Sequence, residues 1–455
     1  MKHIGIIGAG FSGMMTAVHL IENSVSKQII SIFDTKERFG KGIAYSPYSK
    51  SHLLNVPASK MSAFVSDPDH FVNWLLVEKK IIIQLEELKN SFQPRYVYGE
   101  YLTNIWEKAL ETAKNKGIEI NCYFSQVIDL KLTNSSIELT LADQSVIEVS
   151  KCVLATGNQL PKNFKIETNS SEKIQGYFQN PWNIDSVINT ENIDSVLIIG
   201  NGLTMIDTVL GLMEKNFEGQ IYTISPHGFN CISSSNGYQH KINEFKFDSK
   251  NASLKQVVDL VNNELKIAKK KRISTEYIFH EIRPYTQLLW KSFSSHEKAK
   301  FLSVFEYLWN SGRHRLPVEV IDKINNLIDS KLQIIKGKIL SVNYLNGLFD
   351  VFLDSKDESN LKVKRIINCT GSATNLDHIE NNLLTNLKNN KLICQDEFKL
   401  GIKTNIDSFQ IINSNGEILP NIYTLGPTLK GELWETTSVT EIRVQAEKLG
   451  EILAN

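Results

Sequence analysis

Residues 3–20 read HIGIIGAGFSGMMTAVHL, an apolar strand that passes through a glycine turn into an apolar helix. In such a turn Gly8 permits the tight bend, Gly10 lets the backbone approach a pyrophosphate, and Gly13 lets the helix pack closely on the strand. The next strand, IISIFD (29–34), ends in Asp34, where a dinucleotide-binding unit places the carboxylate that binds ribose. The stretch therefore predicts a dinucleotide-binding βαβ unit at the start of the chain.

A second unit of the same kind occupies residues 196–210, VLIIGNGLTMIDTVL. Gly200 and Gly202 again separate an apolar strand from a helix, but Met205 stands where the third glycine would be. The helix must then lie slightly further from its strand. We predict a second dinucleotide site here, and a turn that has lost its ligand is the alternative.

The strand after the second unit indicates which nicotinamide it accepts. IYTIS (221–225) ends without a carboxylate, which would repel a 2′-phosphate. Ser225 and His227 tolerate that phosphate, although no arginine stands there to bind it. We therefore predict NADPH as the reductant, with NADH possible.

The two units open an internal repeat. Each continues to a strand that ends in Thr-Gly, at Gly157 in KCVLATGN (151–158) and at Gly371 in KRIINCTG (364–371). Tandem or nested dinucleotide-binding domains are the simplest account of this repeat. The predicted fold class is α/β, with two dinucleotide-binding (Rossmann-like) domains and a helical insertion at about 250–328.

Composition and charge argue against a nucleic-acid-binding, membrane or metal-binding protein. The chain has 455 residues, 42% of them apolar, and its 50 Lys and Arg balance 50 Asp and Glu. That balance leaves no net field to attract nucleic acid or anionic lipid, and no apolar run reaches the roughly 18 residues of a membrane helix. The five cysteines are scattered, without a CxxC pair or metal-ligand spacing. We expect a cytoplasmic protein that binds no nucleic acid, membrane or metal.

Several further stretches resemble one bacterial family of FAD/NAD(P)-binding proteins, which is similar to FAD-dependent urate hydroxylases and aspartate N-monooxygenases. These stretches are GKGIAYS (40–46), HLLNVPASKMSAFVSDPDHFVNWL (52–75), RPYTQLLW (283–290), WNSGRHRLP (309–317) and GELWETTSVTEIRVQA (431–446). The resemblance covers nearly the whole chain. It implies an FAD domain formed by residues 1–165 and 346–455, with an NAD(P) domain, residues 190–345, inserted into it.

The resemblance also implies the cofactor-binding residues. Gly8, Gly10, Gly13 and Asp34 match the FAD motif, and Gly200, Gly202, Leu203 and Thr204 match the nicotinamide motif. The full predicted set adds Ala9, Phe11, Ser12, Gly42, Tyr45, Asn55, Val56, Gly157, Ser225, His227, Gly371, Gly426, Trp434, Glu435 and Thr436. Pro226 departs from the family, whose members often carry Arg at this position.

The final helix is predicted from about Glu435 to Leu453, following WETTSV (434–439). In two-domain flavoproteins the positive end of such a helix faces the flavin pyrimidine, where negative charge develops on reduction.

The irregular stretch LLNVPASKMSAFVSD (53–67) resembles the active-site loop of flavin-containing monooxygenases. In that loop an asparagine approaches the reactive edge of the flavin, and its side-chain amide both donates and accepts hydrogen bonds. Asn55 is therefore a candidate catalytic residue. The alternative is that Asn55 caps a turn before Pro57.

The cluster formed by Arg313, His314 and Arg315 is the second candidate catalytic feature. Planar guanidinium groups suit the binding of a substrate carboxylate or a cofactor phosphate. A solvated helix end, with cations near its C-terminus, is the alternative.

The leading functional hypothesis is a single-component monooxygenase that uses FAD and NAD(P)H. Reduced FAD would capture oxygen as a peroxide, and a small polar substrate, purine-like or amino-acid-like, would be hydroxylated. Two alternatives remain: an NAD(P)H:acceptor flavin reductase, and a redox sensor that binds the cofactors without turnover. The partners expected are a small-molecule substrate and oxygen, and the sequence leaves the oligomeric state open.

Overall fold

Two largely parallel sheets, each built around one of the glycine turns, organise this computed structural model. It describes residues 1–36, 39–168, 173–191, 193–229, 232–233, 241–242, 248, 251–313, 315–356 and 358–455. His314 of the predicted basic cluster lies outside these residues.

The strands follow the periodic apolar segments of the sequence. They are β1 (Lys2–Ile7), β2 (Gln28–Phe33), β3 (Glu119–Tyr123), β4 (Val127–Leu132), β5 (Ile137–Leu141), β6 (Val146–Val149), β7 (Lys151–Leu154), β8 (Glu167–Thr168), β9 (Tyr177–Phe178), β10 (Ser195–Ile199), β11 (Gln220–Ser225), β12 (Ile232–Ser233), β13 (Arg315–Leu316), β14 (Leu332–Leu345), β15 (Leu348–Ser355), β16 (Asn360–Val363), β17 (Arg365–Asn368), β18 (Thr404–Asn405), β19 (Gln410–Ile412) and β20 (Ile418–Thr424).

The helices occur throughout the described ranges and are most concentrated between residues 254 and 325. They are α1 (Phe11–Asn23), α2 (His70–Glu78), α3 (Leu85–Asn90), α4 (Arg95–Lys116), α5 (Leu203–Glu214), α6 (Leu254–Lys271), α7 (Glu276–Ile282), α8 (Thr286–Ser292), α9 (Ser295–Lys300), α10 (Glu306–Arg313), α11 (Val318–Asn325), α12 (Asn382–Asn389), α13 (Lys430–Leu433) and α14 (Val439–Ala454). A π-helical turn, Phe301–Phe305, joins α9 to α10. Within the described ranges, none of these helices is both long and apolar enough to span a bilayer.

The first sheet combines the two ends of the chain. Its strand order is β18-β19-β20-β7-β1-β2-β3, with β3, β2, β1, β7 and β20 parallel. Helix α1 packs against α14, the last helix. Because β1 and β20 come from opposite ends of the chain, the second domain is inserted into the first, as predicted.

The second sheet extends further along the chain than predicted. Its order is β16-β15-β14-β11-β10-β17-β9, with β8 beside β14. Strands β15, β16 and β17 were assigned to the returning FAD domain beyond residue 345, and that boundary is wrong. The reason is the repeat itself: Val196 of β10 pairs with Arg365 of β17, as Ile4 of β1 pairs with Lys151 of β7. The second domain therefore closes only at Asn368.

Helices α6 to α11 form the predicted helical segment, which packs on the C-terminal part of the chain. Its core includes Tyr277, Ile278 and Trp290, and Trp434 belongs to the same apolar cluster. The Trp290 and Trp434 rings are stacked with centroids 5.1 Å apart. The segment is thus part of the folded body and not a separate appendage.

The two glycine turns have the same backbone geometry. Gly8 and Gly200 both have φ +103°, a conformation that favours glycine. Each turn passes under the strand that ends in Thr-Gly, since a Cβ on Gly8 would lie 2.2 Å from the Ala155 carbonyl oxygen and one on Gly200 would lie 2.5 Å from that of Cys369. The internal repeat seen in the sequence is therefore a structural repeat.

The two glycine turns differ at the third position of the motif, which is Gly13 in the first and Met205 in the second. A Cβ on Gly13 would lie 1.9 Å from the Gly8 carbonyl oxygen, so α1 touches the turn directly. Met205 is fully buried at the matching place in α5. The second unit accommodates this side chain in its own core, as the sequence predicts.

We expect Gly13→Ala to lower the free energy of unfolding by about 1–3 kcal/mol, the usual cost of overpacking, because the new methyl group must push helix and turn apart. Thermal unfolding followed by circular dichroism measures the change. Gly202→Ala is the matched control, since a Cβ there meets no atom within 4 Å. Equal melting temperatures for the two variants would contradict the expectation.

Candidate active site

The first glycine turn lines a cleft of about 480 Å³, called here the first cleft. Helix α1 begins directly after Gly10, without a side-chain cap and without an acidic residue in its first turn. Gly10, Phe11 and Ser12 all line the cleft, so the free N–H groups and the positive end of the helix dipole are available to an anion there.

Two glycines face each other at the mouth of this turn. A Cβ on Gly10 would lie 3.5 Å from the Gly42 Cα, and one on Gly42 would lie 3.1 Å from the Gly10 Cα. Side chains at these positions would fill the space in which a pyrophosphate touches the backbone. The cleft therefore fits the dinucleotide that the sequence predicts.

Asp34 is fixed at the edge of the first cleft. Its carboxylate accepts hydrogen bonds from the Ala9 N–H at 2.8 Å and from the Thr35 N–H at 2.7 Å. These bonds hold the carboxylate beside the glycine turn, at the end of β2, where it is suited to accept from ribose hydroxyls.

The remaining residues predicted around the first cofactor divide into lining and supporting residues. Tyr45 and Gly157 line the first cleft. Gly426 and Thr436 support it from behind, because the Thr436 hydroxyl donates to the Gly426 carbonyl and a Cβ on Gly426 would lie 2.8 Å from the Ser12 Oγ. Ala9 and Gly13 are likewise absent from the lining residues.

The second glycine turn lines a larger cleft of about 730 Å³, called here the second cleft. The predicted residues Gly200, Gly202, Leu203, Thr204 and Gly371 all line it. Helix α5 begins directly after Gly202, again without a side-chain cap or an acidic residue in its first turn. This open, uncapped helix start fits an anionic ligand and favours a working site over a turn that has lost its ligand.

The two clefts share a wall. Gly157, Asn158, Gln159, Pro427 and Thr437 line both of them. The wall also contacts the segment that leaves the second domain after β17, because the Ser372 hydroxyl donates to the Gln159 carbonyl at 2.7 Å. A ligand in each cleft would therefore meet the other across these residues.

Only one arginine of the predicted basic cluster reaches a cleft. Arg313 lines the second cleft, and burial lowers the pKa of its guanidinium, an effect that the neighbouring Glu435 carboxylate opposes. Arg315 is buried elsewhere, donating to the Gly312 carbonyl at 3.1 Å and to the Thr275 hydroxyl at 3.0 Å. Helix α10 ends at Arg313 and β13 begins at Arg315, so adjacency in sequence does not place both residues in one site. The structure gives Arg315 a packing role in place of the predicted contact.

A strained turn separates α13 from α14. Trp434 has φ +61° and ψ −70°, and the Glu435 N–H donates to the Leu433 carbonyl at 2.7 Å. This γ-turn costs on the order of 1–3 kcal/mol for a residue other than glycine. It also delays the last helix, which begins at Val439 and not at Glu435 as predicted. Consequently Trp434 and Glu435 line the second cleft and not the first.

Glu435 is the most connected residue of that turn. Its side chain is 4% exposed and accepts from the Trp309 indole N–H at 2.8 Å and from the Arg313 guanidinium at 2.8 Å. Its backbone carbonyl accepts from the Gln287 side chain at 2.6 Å. All three donors belong to the helical segment, so that segment holds the turn in place by hydrogen bonds.

Four further predicted residues, Asn55, Val56, Ser225 and His227, also line neither cleft. The loop around Asn55 and Val56 is tied to residues 91–95, since the Leu54 N–H donates to the Gln93 carbonyl at 2.9 Å. The contact between Asn55 and a flavin therefore stays a prediction without support from the cleft geometry. At the end of β11 the Ser225 hydroxyl donates to the Gly228 carbonyl, and the His227 ring stacks on Tyr307 at 3.8 Å.

Sequence reasoning missed other residues of the two clefts. Asn158, Gln159 and Thr437 form part of the shared wall, and Glu306 and Asn310 line the second cleft one turn of α10 apart. Asn158 and Gln159 directly follow Gly157 of KCVLATG, and Thr437 is the last residue of WETT, so these motifs carry the signal that points to all three. Asn310 lies in WNSGRHRLP, one turn of helix before Arg313, whereas Glu306 precedes that stretch and carries no local signal, because only the fold brings it to the cleft.

Comparison with known proteins agrees with this architecture. Residues 5–159 match the model of an FAD-NAD(P)-binding family. No curated protein matches the sequence significantly.

Solved structures resemble the chain over nearly its whole length. The ornithine N-hydroxylase of Kutzneria sp. 744, in a complex with reduced FAD, NADP⁺ and L-ornithine, is 13% identical with a TM-score of 0.63, over 98% of this chain and 97% of that one. The reduced ornithine hydroxylase of Pseudomonas aeruginosa is 14% identical with a TM-score of 0.65, over 100% and 98%.

The lysine monooxygenase of Nocardia farcinica is 12% identical with a TM-score of 0.54, over 99% of this chain and 100% of that one. Identities this low establish a shared fold and leave the substrate open. The chain thus has the two-dinucleotide-binding-domain fold of flavin monooxygenases, and its residues 5–159 match the FAD-NAD(P)-binding family.

Proposed function

We propose that this protein is an FAD-dependent, NAD(P)H-using monooxygenase that hydroxylates a small polar substrate. The observation that carries the proposal is the wall of Gly157, Asn158, Gln159, Pro427 and Thr437, which lines both clefts. Electron transfer from a nicotinamide to a flavin requires such adjoining sites. The solved structures of similar fold are named as hydroxylases and monooxygenases, which supports the same reading.

The chain's own residues would bind and orient the two cofactors. Gly10 and the start of α1 would hold the FAD pyrophosphate while Asp34 accepts from the ribose. Gly202 and the start of α5 would hold the nicotinamide dinucleotide. Bound FAD would supply the oxygen chemistry, and the protein would supply position and shielding from water.

The second cleft carries charges suited to a polar substrate. Arg313 pairs with Glu435, and Lys430 pairs with Glu306 at 3.3 Å, so both signs lie along one wall. An amino-acid-like substrate is favoured over a purine-like one, because the solved structures of similar fold are named as ornithine hydroxylases and a lysine monooxygenase.

Two other functions use the same cofactors. A dithiol reductase is disfavoured because the sequence has no CxxC pair, whereas a reductase for a quinone or protein acceptor would use the same fold. A sensor that binds both cofactors without turnover is the third function. Oxygen consumption in the presence of NADPH distinguishes the monooxygenase, the reductase and the sensor.

We expect Gly10→Val to fold but to purify without flavin, because its side chain fills the space between Gly10 and Gly42. Visible absorbance of the purified protein measures the flavin, and circular dichroism verifies the fold. Gly202→Val is the control and should stay yellow. A Gly10→Val protein with a full complement of FAD would remove the first cleft as the flavin site.

We expect NADPH to reduce the flavin at least as fast as NADH, since β11 ends without a carboxylate. His227→Glu, two residues beyond the end of β11, should shift the preference toward NADH, because a dinucleotide-binding unit binds the adenosine ribose at the end of this strand. His227→Gln is the uncharged control. Anaerobic stopped-flow reduction with each nicotinamide gives the ratio, and a strong preference of the wild type for NADH would contradict the prediction.

We expect the purified protein to consume oxygen when NADPH is added, and an amino-acid substrate to lower the hydrogen peroxide released per NADPH oxidised. An oxygen electrode and a peroxide assay measure the two quantities over a panel of amino acids, diamines and purines. NADPH oxidation that depends on a quinone and consumes no oxygen would favour the reductase. Cofactor binding without any oxidation would favour the sensor.

A further inference from the structure

The side chains of the γ-turn at Trp434 are held mainly by the helical segment. The Trp434 ring lies against Trp290, Phe301 and the Lys430 ammonium group, and Glu435 is bound by Trp309 and Arg313. Strained backbone persists only where its surroundings fix it, and strained residues cluster at functional sites. The helical segment is what keeps this turn in its strained form.

The same turn positions the wall between the clefts. Thr436 and Thr437 follow Glu435 directly, and Thr437 lines both clefts. The Thr436 hydroxyl donates to the Gly426 carbonyl, next to Pro427, the other C-terminal residue of the wall. A shift of the turn would therefore move both of these wall residues together.

Helix α10, which binds the γ-turn through Trp309 and Arg313, is preceded by an irregular helical turn. Arg313 and Trp309 lie on α10, directly after the π-helical turn Phe301–Phe305. π-Helical turns inside helices are frequent at functional sites. Here the π-helical turn directly precedes α10. Glu306, Asn310 and Arg313 of α10 line the second cleft, and Trp309 and Arg313 bind Glu435.

We propose that Glu435 is a positioning residue that holds the strained turn and so fixes the nicotinamide site relative to the flavin site. It acts through Trp434 and Thr437 and need not touch a reacting atom. The inference rests on the proposed function for its hydride-transfer readout, whereas a binding readout tests it without turnover.

The chain offers a matched control in a second buried ion pair. Arg283 donates twice to Glu441, at 3.0 and 3.1 Å, and so also ties the helical segment to the C-terminal part of the chain. Neither residue lines either cleft. Glu441→Gln therefore weakens the docking of the helical segment while it leaves the direct contacts of Trp434 and Glu435 in place.

The experiment compares Glu435→Gln with Glu441→Gln as FAD-loaded proteins. Anaerobic stopped-flow gives the rate of flavin reduction by NADPH, and an NADP⁺ titration gives the change in the flavin absorbance spectrum on binding. We expect Glu435→Gln to retain FAD, to be reduced about a hundredfold more slowly, as misplacement by about 1 Å can cause, and to lose the spectral change. Glu441→Gln should retain both properties.

Trp309→Phe provides a second test if Glu435→Gln fails to fold. It removes one donor to Glu435 and leaves the charges unchanged, so we expect slower reduction and a smaller spectral change with the same FAD content. Equal behaviour of the Glu435 and Glu441 variants, or wild-type behaviour of Trp309→Phe, would overturn the proposal. A wild-type protein that NADPH does not reduce would overturn the proposed function, and the NADP⁺ titration would still decide the role of Glu435.

Discussion

The contact between a glycine turn and the strand that crosses over it is the constraint on which both domains depend. At Gly8 and Gly200 the crossing carbonyl oxygen approaches to a distance that excludes any side chain. This contact forces the turn to open toward the carboxyl ends of the parallel strands, where the following helix begins without a cap. The sheet, the helix start and the anion site are consequences of one steric requirement.

The insertion of one domain into the other places the two helix starts near a common wall. Strand β20 and helix α14 return to the first sheet only after β17 has closed the second. The segment around Gly157, which follows β7 and leads to the second domain, and the loop around Pro427, which follows β20, both lie between the clefts. Ligands at ends of two separate sheets can meet only because the chain crosses between the domains at this place.

The helical segment brings buried charges to the interface with the C-terminal part of the chain. Arg313–Glu435 and Arg283–Glu441 are ion pairs with little exposure, and removing one partner of such a pair typically costs about 3–5 kcal/mol because the other charge stays buried. Apolar residues of similar volume can be as stabilising, so stability alone does not account for these pairs. Their hydrogen bonds are directional and therefore fix the position at which the helical segment packs. Apolar contacts are not directional and would define that position less precisely.

The sequence by itself determined the local units: both strand-turn-helix motifs, Asp34, the repeat that ends at Gly157 and Gly371, and the helical segment. These depend on interactions between residues close in the chain, such as the turn geometry of glycine and the periodicity of apolar side chains. Only the tertiary structure decided that β17 closes the second sheet, that Arg313 and not Arg315 reaches a cleft, and that Glu435 binds Trp309. Those outcomes depend on which distant segments pack together, and one sequence contains no local signal for such packing.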